Sequence, residues 1–325
     1  MAGLPDFCRA AVVDPASRRL VLGRAPVPRP GAGELLLAVS AAGVNRLDLD
    51  LKKEEDPPTL LGLEAAGTVA AVGPGVTAFK TGDRVMSLMR GGAYAEYAVA
   101  REDLTLPAPP RLSFDAAAAV PEAYFTVWSN VFMDARLSAG EVLLVHGGAS
   151  GVGSSAVQIA KALGAVVVTT ASTPEKAAFC RSLGADFVVD YRQTDFAAET
   201  ARLLAGRSVD VVFDWIGRDY LDKHLSLLGR KGRLVLIDSR SGEKGEVDRG
   251  LVMSKNITLT GSLLRPRPPE EKRAIAAGVR DRLLPLLASG ALAPVVSHRF
   301  PLDRAEEAHA VVERGDNKGK VVLNP

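Results

Sequence analysis

Among 325 residues there are two cysteines, Cys8 and Cys180, far apart and outside any Cys-x-x-Cys. Their scarcity excludes a disulfide framework and a cysteine-rich zinc site. The four histidines, His146, His224, His298 and His309, form no i, i+4 pair, and no metal is expected. No Gly-x-Ser-x-Gly elbow is present, so no nucleophile is assigned. An excess of one charge is missing too: 40 basic against 38 acidic side chains leave +2, with no basic-aromatic stretch. Nucleic acid is therefore not an expected partner. No apolar run approaches the ~18 residues of a membrane span, so no membrane partner is expected either. The opening MAGLPDFCRAAVVD lacks a basic segment followed by an apolar one, so no secretory signal is expected. Internal repeats and low-complexity tracts are absent. What is present, 47% hydrophobic and 24% charged residues, is the composition of a globular chain long enough for two cores and expected in the cytoplasm.

The first third reads as short strands broken by Pro and Gly: Cys8–Val13, Arg19–Arg24, Glu34–Ser40, Ala65–Val72, Asp83–Met89 and Tyr94–Ala100. Many strands with few helices suggest a small, irregular β-barrel-like domain. Asp115–Ala135 can run as helices, the second opening at Pro121. From Glu141 compact β-branched runs alternate with helical periodicity: Val142–Val145, Val166–Thr170, Phe187–Val189, Val209–Phe213 and Leu234–Ile237. Such runs fit strands buried on both faces, and the alternation is that of a doubly wound parallel sheet. The tail reads as a helix over Glu270–Ser289, disturbed at Pro285, and a strand near Val295–Phe300. A helix opening at Asp303 follows, with Glu306 as capping-box partner, then a strand at Lys320–Leu323. This tail is expected to fold back onto the first domain.

Chemistry is most legible in His146-Gly147-Gly148-Ala149-Ser150-Gly151-Val152-Gly153, directly after a buried strand and before an amphipathic helix. Glycines there permit a tight turn and close approach of a pyrophosphate to the unpaired N–H groups of the helix start. Ser150 replaces the usual central glycine. The next strand ends at Ala171-Ser172-Thr173 with no carboxylate before Glu175, where an enzyme using NADH would place an acid for the ribose 2′-hydroxyl. Ser172 and Lys176 suit a 2′-phosphate instead, so NADPH is expected over NADH.

Several further segments occur in one order: Ala41-Ala42-Gly43-Val44-Asn45-Arg46-Leu47-Asp48-Leu49, Leu61-Gly62-Leu63-Glu64-Ala65-Ala66-Gly67, Pro121-Glu122-Ala123-Tyr124-Phe125-Thr126, Ser262-Leu263-Leu264-Arg265 and Gly319-Lys320-Val321-Val322-Leu323. With the glycine turn they make nearly the whole chain resemble the medium-chain dehydrogenase/reductase superfamily. The match is to its zinc-free quinone oxidoreductase branch, near the stress-inducible NADPH quinone oxidoreductases. The resemblance implies an α/β chain: a Rossmann doubly wound parallel sheet over residues 124–265, and a GroES-like irregular β-barrel catalytic domain over 1–123, completed by 266–325.

Zinc members of the superfamily carry cysteine where Asn45 stands and Gly-His-Glu where Gly62-Leu63-Glu64 stands, so the resemblance implies no metal. It implies an NADPH-dependent reductase of a quinone-like small molecule, with Ser150, Gly151, Val152 and Gly153 on the pyrophosphate and Lys176 and Tyr191 on the 2′-phosphate. Asn45 and Thr126 would lie near the nicotinamide and its ribose, Ile216, Gly217, Leu263 and Leu264 along the same face, and Asn317 over the cofactor. Asn45 and Asp48 are the candidates for orienting substrate and cofactor, Asp48 equally as a carboxylate fixing Arg46 or the backbone. Two departures stand out. Relatives often have a tyrosine in the loop that here reads Lys52-Lys53-Glu54-Glu55-Asp56, a charged run expected at the surface or on the pocket rim. Asp238 stands where relatives usually have glycine, and it must point away or accept a hydrogen bond. The alternatives are an enoyl-thioester or enone reductase, against which the missing tyrosine counts, and an NADPH-binding sensor with little turnover. A homodimer is expected through the edge strand Asn256–Leu264.

Overall fold

A computed structural model describes residues 3–325; Met1 and Ala2, which open the expected first domain, lie outside the described residues. In chain order the strands are β1 (Phe7–Val13), β2 (Leu20–Pro26), β3 (Glu34–Val44), β4 (Glu64–Val72), β5 (Arg84–Leu88), β6 (Tyr97–Arg101) and β7 (Thr105–Pro107). Then come β8 (Val142–Val145), β9 (Val166–Ala171), β10 (Phe187–Asp190), β11 (Val209–Asp214), β12 (Leu228–Leu236) and β13 (Thr258–Gly261). The last two are β14 (Val296–Pro301) and β15 (Lys320–Asn324). They fall into two units, Met1–Phe125 with Pro268–Pro325, and Thr126–Arg267.

In the first unit β1 and β2 form a ribbon beside a sheet of order β14-β15-β3-β4-β5-β7, with β6 also on β3. β3 is the spine. One edge pairs with β4; the other takes β6 over Glu34–Ala38 and β15 over Ala42–Val44. Register shifts along the β4 side bend it, as bulges do, which lets one strand serve three partners. Beyond Ala42, β3 pairs with β15 alone, a partner far along the chain that local patterning does not reveal. Leu35, Leu37, Leu61, Val85, Val321 and Leu323 meet in the core.

The second unit is an all-parallel sheet of order β10-β9-β8-β11-β12-β13. By order of appearance that is 3-2-1-4-5-6, so the winding reverses between β8 and β11, and the carboxyl ends of those strands open the crevice where such sheets bind ligands. Val142, Leu144, Val168, Val212 and Leu234 fill its core. Among the described residues no helix is long and apolar enough to cross a membrane.

Several expectations change. β6 begins at Tyr97 rather than Tyr94, β12 already at Leu228, and only Thr258–Gly261 of the expected Asn256–Leu264 strand pairs with β12. The tail helix is interrupted ahead of Pro285: a π-helical turn over Val279–Leu283 separates Pro269–Gly278 from Leu284–Ser289. Proline has no N–H to give the preceding turn and its ring crowds it, which a wider turn relieves. No capping box forms at Asp303, because Leu302–Arg304 is a 3-10 turn and the helix is Ala305–Arg314. Glu306 instead accepts from the Leu20 N–H and the Lys52 ammonium.

Candidate functional site

In the second unit most residues expected to hold a dinucleotide follow the carboxyl ends of β8, β9, β10 and β11, whereas Thr126 lies on the helix Pro121–Val127 and Leu263 and Leu264 follow β13. Beyond β8, Gly147 takes a positive φ of 52°, and the N–H groups of Gly147 and Gly148 bind Thr170 at its hydroxyl (3.0 Å) and its carbonyl (3.1 Å). Ser150 caps the helix Gly151–Ala162, its hydroxyl accepting the Gly153 N–H at 3.0 Å and its carbonyl the Ser154 N–H. Those two bonds leave the N–H groups of Gly151 and Val152 without intrahelical partners at the positive end of the helix, an anion site by construction.

Where β9 ends, Thr173 caps the helix Pro174–Ser182 by accepting the Lys176 N–H at 3.2 Å, so Lys176 sits in the first turn beside Ser172. The neighbouring strand brings Tyr191 to the same edge, its N–H donating to the Ala171 carbonyl at 3.3 Å and its side chain 40% exposed. The Asp190 carboxylate folds onto its own turn, accepting the Arg192 N–H. Ser172, Lys176 and Tyr191 therefore follow the ends of two paired strands.

Past β11, Asp214 accepts the N–H groups of Ile216 (2.8 Å) and Gly217 (2.9 Å), which fixes that turn opposite the glycine turn. Burial pushes the Asp214 carboxyl up to about 6, against the pull of those N–H groups. Beneath the two turns runs a buried chain that sequence spacing did not show. His146 meets the Thr170 hydroxyl at 3.2 Å and His224 at 2.7 Å, and His224 turns its other nitrogen toward Asp214 at 3.8 Å. His146, Asp214 and His224 bring ligand-type atoms within 4.8 Å of one another. Yet opposite nitrogens of one imidazole face the other two members, so the group is a linear row rather than a chelate, and the His224–Asp214 approach is too long for a hydrogen bond. Burial holds His146 down to about 3 and His224 well below its ordinary value, so both rings are neutral.

A cavity of about 460 Å³ adjoins this turn, its walls including Gly217, Arg218, Asp238, Ser239, Ser262 and Leu263. Leu263 is 62% exposed while Leu264 is buried. Asp238 is satisfied locally, accepting from the Ser239 N–H at 2.8 Å and the Arg240 guanidinium at 3.1 Å. Thr126 is nearly buried, and its carbonyl accepts from Ser129 and Asn130.

The first unit holds a second constellation. Asn45 opens the helix Arg46–Lys52, and the Asp48 carboxylate accepts the backbone N–H groups of Asn45 (2.9 Å) and Gly62 (3.0 Å). Burial raises the Asp48 carboxyl to about 6, moderated by those N–H groups and the Tyr94 hydroxyl. Asp48 is wholly buried, so it acts by holding backbone; Arg46 goes elsewhere, to the carbonyls of Val312 and Glu313. The Asn45 side chain donates to Glu64 Oε1 at 2.9 Å and accepts from Lys320 Nζ at 2.5 Å, while Lys320 also reaches Glu64 Oε1 at 2.5 Å. The other Glu64 oxygen accepts the Glu122 N–H at 2.8 Å. Burial and the neighbouring Glu64 charge raise the Glu122 carboxyl to about 8, so it keeps its proton at neutral pH. Asn317 closes the turn before Lys320 by donating to the Gly319 carbonyl.

In the charged segment after Asn45, residues 53–56 are exposed, as expected, and Lys52 alone departs from expectation. Lys52 is buried on Glu306, Lys53 pairs with Glu313, and Arg18 takes the carbonyls of Glu54 and Glu55. Glu64 and Lys320 were missed as site residues although both stand in quoted motifs. The signal was a lysine opening an otherwise apolar strand, Lys320-Val321-Val322-Leu323.

Known proteins resemble the chain across both units. Residues 31–110 match the alcohol dehydrogenase GroES-like domain family and residues 151–279 the zinc-binding dehydrogenase family. Quinone oxidoreductase of Sus scrofa is 32% identical over 304 residues, 91% of this chain and 91% of that protein. A mycobacterial protein solved in complex with NADPH is 34% identical, with a TM-score of 0.83 over 98% of this chain and 100% of that one. An NAD-dependent alcohol dehydrogenase superposes with a TM-score of 0.86 at 31% identity, covering 98% and 99%.

Proposed function

The chain belongs to the medium-chain dehydrogenase/reductase superfamily, among its quinone oxidoreductases, and on that premise we propose a zinc-independent, NADPH-dependent reductase that passes hydride to a quinone or a similarly activated conjugated carbonyl. The observation that carries this reading is the ammonium of Lys320 seated between Asn45 and Glu64. A zinc-binding ancestry implies a metal, but the residues here do not suit one. Leu63 offers only carbon, and the polar groups of Asn45 and Glu64 are already bound to a cation that a metal ion would repel. Alcohol oxidation in the zinc members draws on a Lewis acid bonded to the alkoxide oxygen, and this donor set has no place for one. A quinone is electrophilic already.

NADPH is the cofactor that the second unit fits. The cradle is tight: a Cβ on Gly153 would stand 2.3 Å from the Gly147 carbonyl oxygen, so that turn accepts only glycine there. Gly151 and Val152 would hold the pyrophosphate, with Ser150 and Gly153 shaping the turn. Ser172, Lys176 and Tyr191 would take the 2′-phosphate. Thr126, Ile216, Gly217, Leu263 and Leu264 would bound the nicotinamide side. When bound, NADPH supplies hydride from its nicotinamide ring. The protein's share is mostly orientation.

The test is a binding titration followed by an acceptor screen. NADPH is expected to bind well ahead of NADH by nicotinamide fluorescence, and Lys176→Ala to weaken NADPH roughly 10- to 100-fold with NADH unchanged, the loss of a charge-assisted contact. Equal binding of NADH, or no quinone reduced across a broad panel, contradicts the reading. Turnover of a crotonyl thioester faster than of any quinone reassigns the substrate.

The same reading makes the enzyme a homodimer through β13. That strand ends the parallel sheet with Leu259 41% exposed, and an open apolar edge invites a twin strand. Light scattering is expected to give twice the 34.2 kDa chain mass, and a monomer would refute it. Buried, free Cys8 and Cys180 support a reducing, cytoplasmic setting.

A further inference from the structure

Hydride transfer to a quinone moves an electron pair onto the acceptor. One C–H bond breaks on the nicotinamide, one bond to hydrogen forms on the acceptor, and negative charge collects on the acceptor oxygen until solvent protonates it. Some donor must meet that charge, and neither a metal nor a strong acid has been assigned to do so. In the first unit the Lys320 ammonium, the Glu64 carboxylate and the Asn45 amide form a closed set of contacts: Nζ to Asn45 Oδ1 at 2.5 Å, Nζ to Glu64 Oε1 at 2.5 Å, and Asn45 Nδ2 to Glu64 Oε1 at 2.9 Å. An ammonium only donates, so the amide atom facing it is the oxygen, and the orientation of the Asn45 side chain is fixed by chemistry. One Nδ2 hydrogen goes to Glu64. The other is taken by neither of these two partners; Asn45 as a whole is 8% exposed, against 4% for Lys320 and none for Glu64.

We infer that Lys320 is a positioning and polarising residue that stands in for a metal cation, drawing electrons from the Asn45 carbonyl so that the remaining Asn45 N–H becomes a strong donor to the oxyanion of the reduced acceptor. The inference rests on the quinone reductase reading and names the atom that the reading lacked. A cation on the amide oxygen favours the resonance form with positive nitrogen, and a charge-assisted donor in a dry site is worth far more than one in water. Glu64 holds the amide plane and balances the lysine, so the pair delivers polarisation without leaving a bare buried charge. Asp48 fixes the backbone from which Asn45 projects, through the Asn45 N–H.

The experiment compares wild type with Lys320→Met and with the charge-balanced pair Glu64→Gln/Lys320→Met, which spares the fold a lone buried carboxylate. Loss of one such donor group typically costs 10²–10³ in rate; loss of polarisation alone, with the amide still present, is expected to lower kcat for quinones about 10- to 100-fold in both variants. NADPH binding, which belongs to the second unit, stays within about twofold. Asn45→Ala is expected to lose at least as much, and adding Lys320→Met to it costs little more, because both act through one amide. A second readout needs no turnover: the Asn45 side-chain N–H resonances, assigned by their loss in Asn45→Asp, shift upfield when Lys320 is replaced. Wild-type kcat in the charge-balanced pair, or unmoved Asn45 resonances in Lys320→Met, overturns the inference. If the wild-type protein reduces no quinone, the substrate reading falls instead, while the resonance shift still decides whether Lys320 polarises Asn45.

Discussion

Glu64→Leu is expected to destabilise the first unit by about 3 kcal/mol, at the lower end of the range for removing one partner of a buried ion pair. The carboxylate is fully buried and satisfies three donors, the Lys320 ammonium, the Asn45 amide and the Glu122 N–H. Leucine leaves the Glu122 N–H and one Asn45 amide hydrogen unpaired, and leaves the Lys320 ammonium, itself 4% exposed, only the neutral Asn45 oxygen. The lower end applies because the Lys320 ammonium keeps the Asn45 oxygen as a partner. Glu64→Leu/Lys320→Met is expected to recover most of the loss, since a hydrophobic replacement of both partners removes the desolvation cost with the attraction. Gly43 leaves room for the carboxylate: a Cβ there would stand 2.1 Å from Glu64 Oε1. Both tryptophans, Trp128 and Trp215, belong to the other unit, so the measurement is hydrogen exchange of the β3 and β4 amides under urea. A single-variant loss under 1 kcal/mol, or a double variant no more stable than the single, contradicts this view of the cluster.

What could be read before any coordinates was whatever is encoded locally. The runs Val142–Val145, Val166–Thr170 and Val209–Phe213 announce their strands because a strand buried on both faces needs an unbroken apolar stretch, and the glycine turn declares itself by needing a positive φ and close packing. What escaped was set by contacts distant along the chain. β3 runs on to Val44 because β15 pairs with it, and the row from Thr170 through His146 and His224 to Asp214 joins four separate segments. Lys52 looked like part of a solvated charge run; only Glu306, brought alongside by the tail, makes it a buried ion pair. Lys320 is the sharpest case. Its motif was recognised as a pattern, but a lysine's meaning depends on which carboxylate it meets, and Glu64 meets it only after the last strand closes the sheet.

Gly153→Ala is expected to weaken NADPH binding roughly 100-fold, about 2.7 kcal/mol. The added Cβ would lie 2.3 Å from the Gly147 carbonyl oxygen, 2.9 Å from Gly148 Cα and 2.9 Å from Ser150 Oγ. Two of these atoms are backbone of the turn itself, so no side-chain rotation relieves the contact. Either the turn rises or the helix Gly151–Ala162 retreats, and each motion breaks the Gly153 N–H bond to Ser150 that holds the helix start in register. The N–H groups of Gly151 and Val152 then no longer converge on the pyrophosphate, and their alignment with the helix dipole is what makes them an anion site. Overpacking of this kind costs about 1–3 kcal/mol of stability, which the sheet can absorb. Affinity should therefore fall further than stability, with NADH weakened by a similar factor because both dinucleotides share the pyrophosphate. That last point separates this variant from Lys176→Ala, whose effect is confined to NADPH. Fluorescence titration of both cofactors with both variants reads the two sites apart, and a Gly153→Ala protein that binds NADPH within threefold of wild type would show that the pyrophosphate does not rest on this turn.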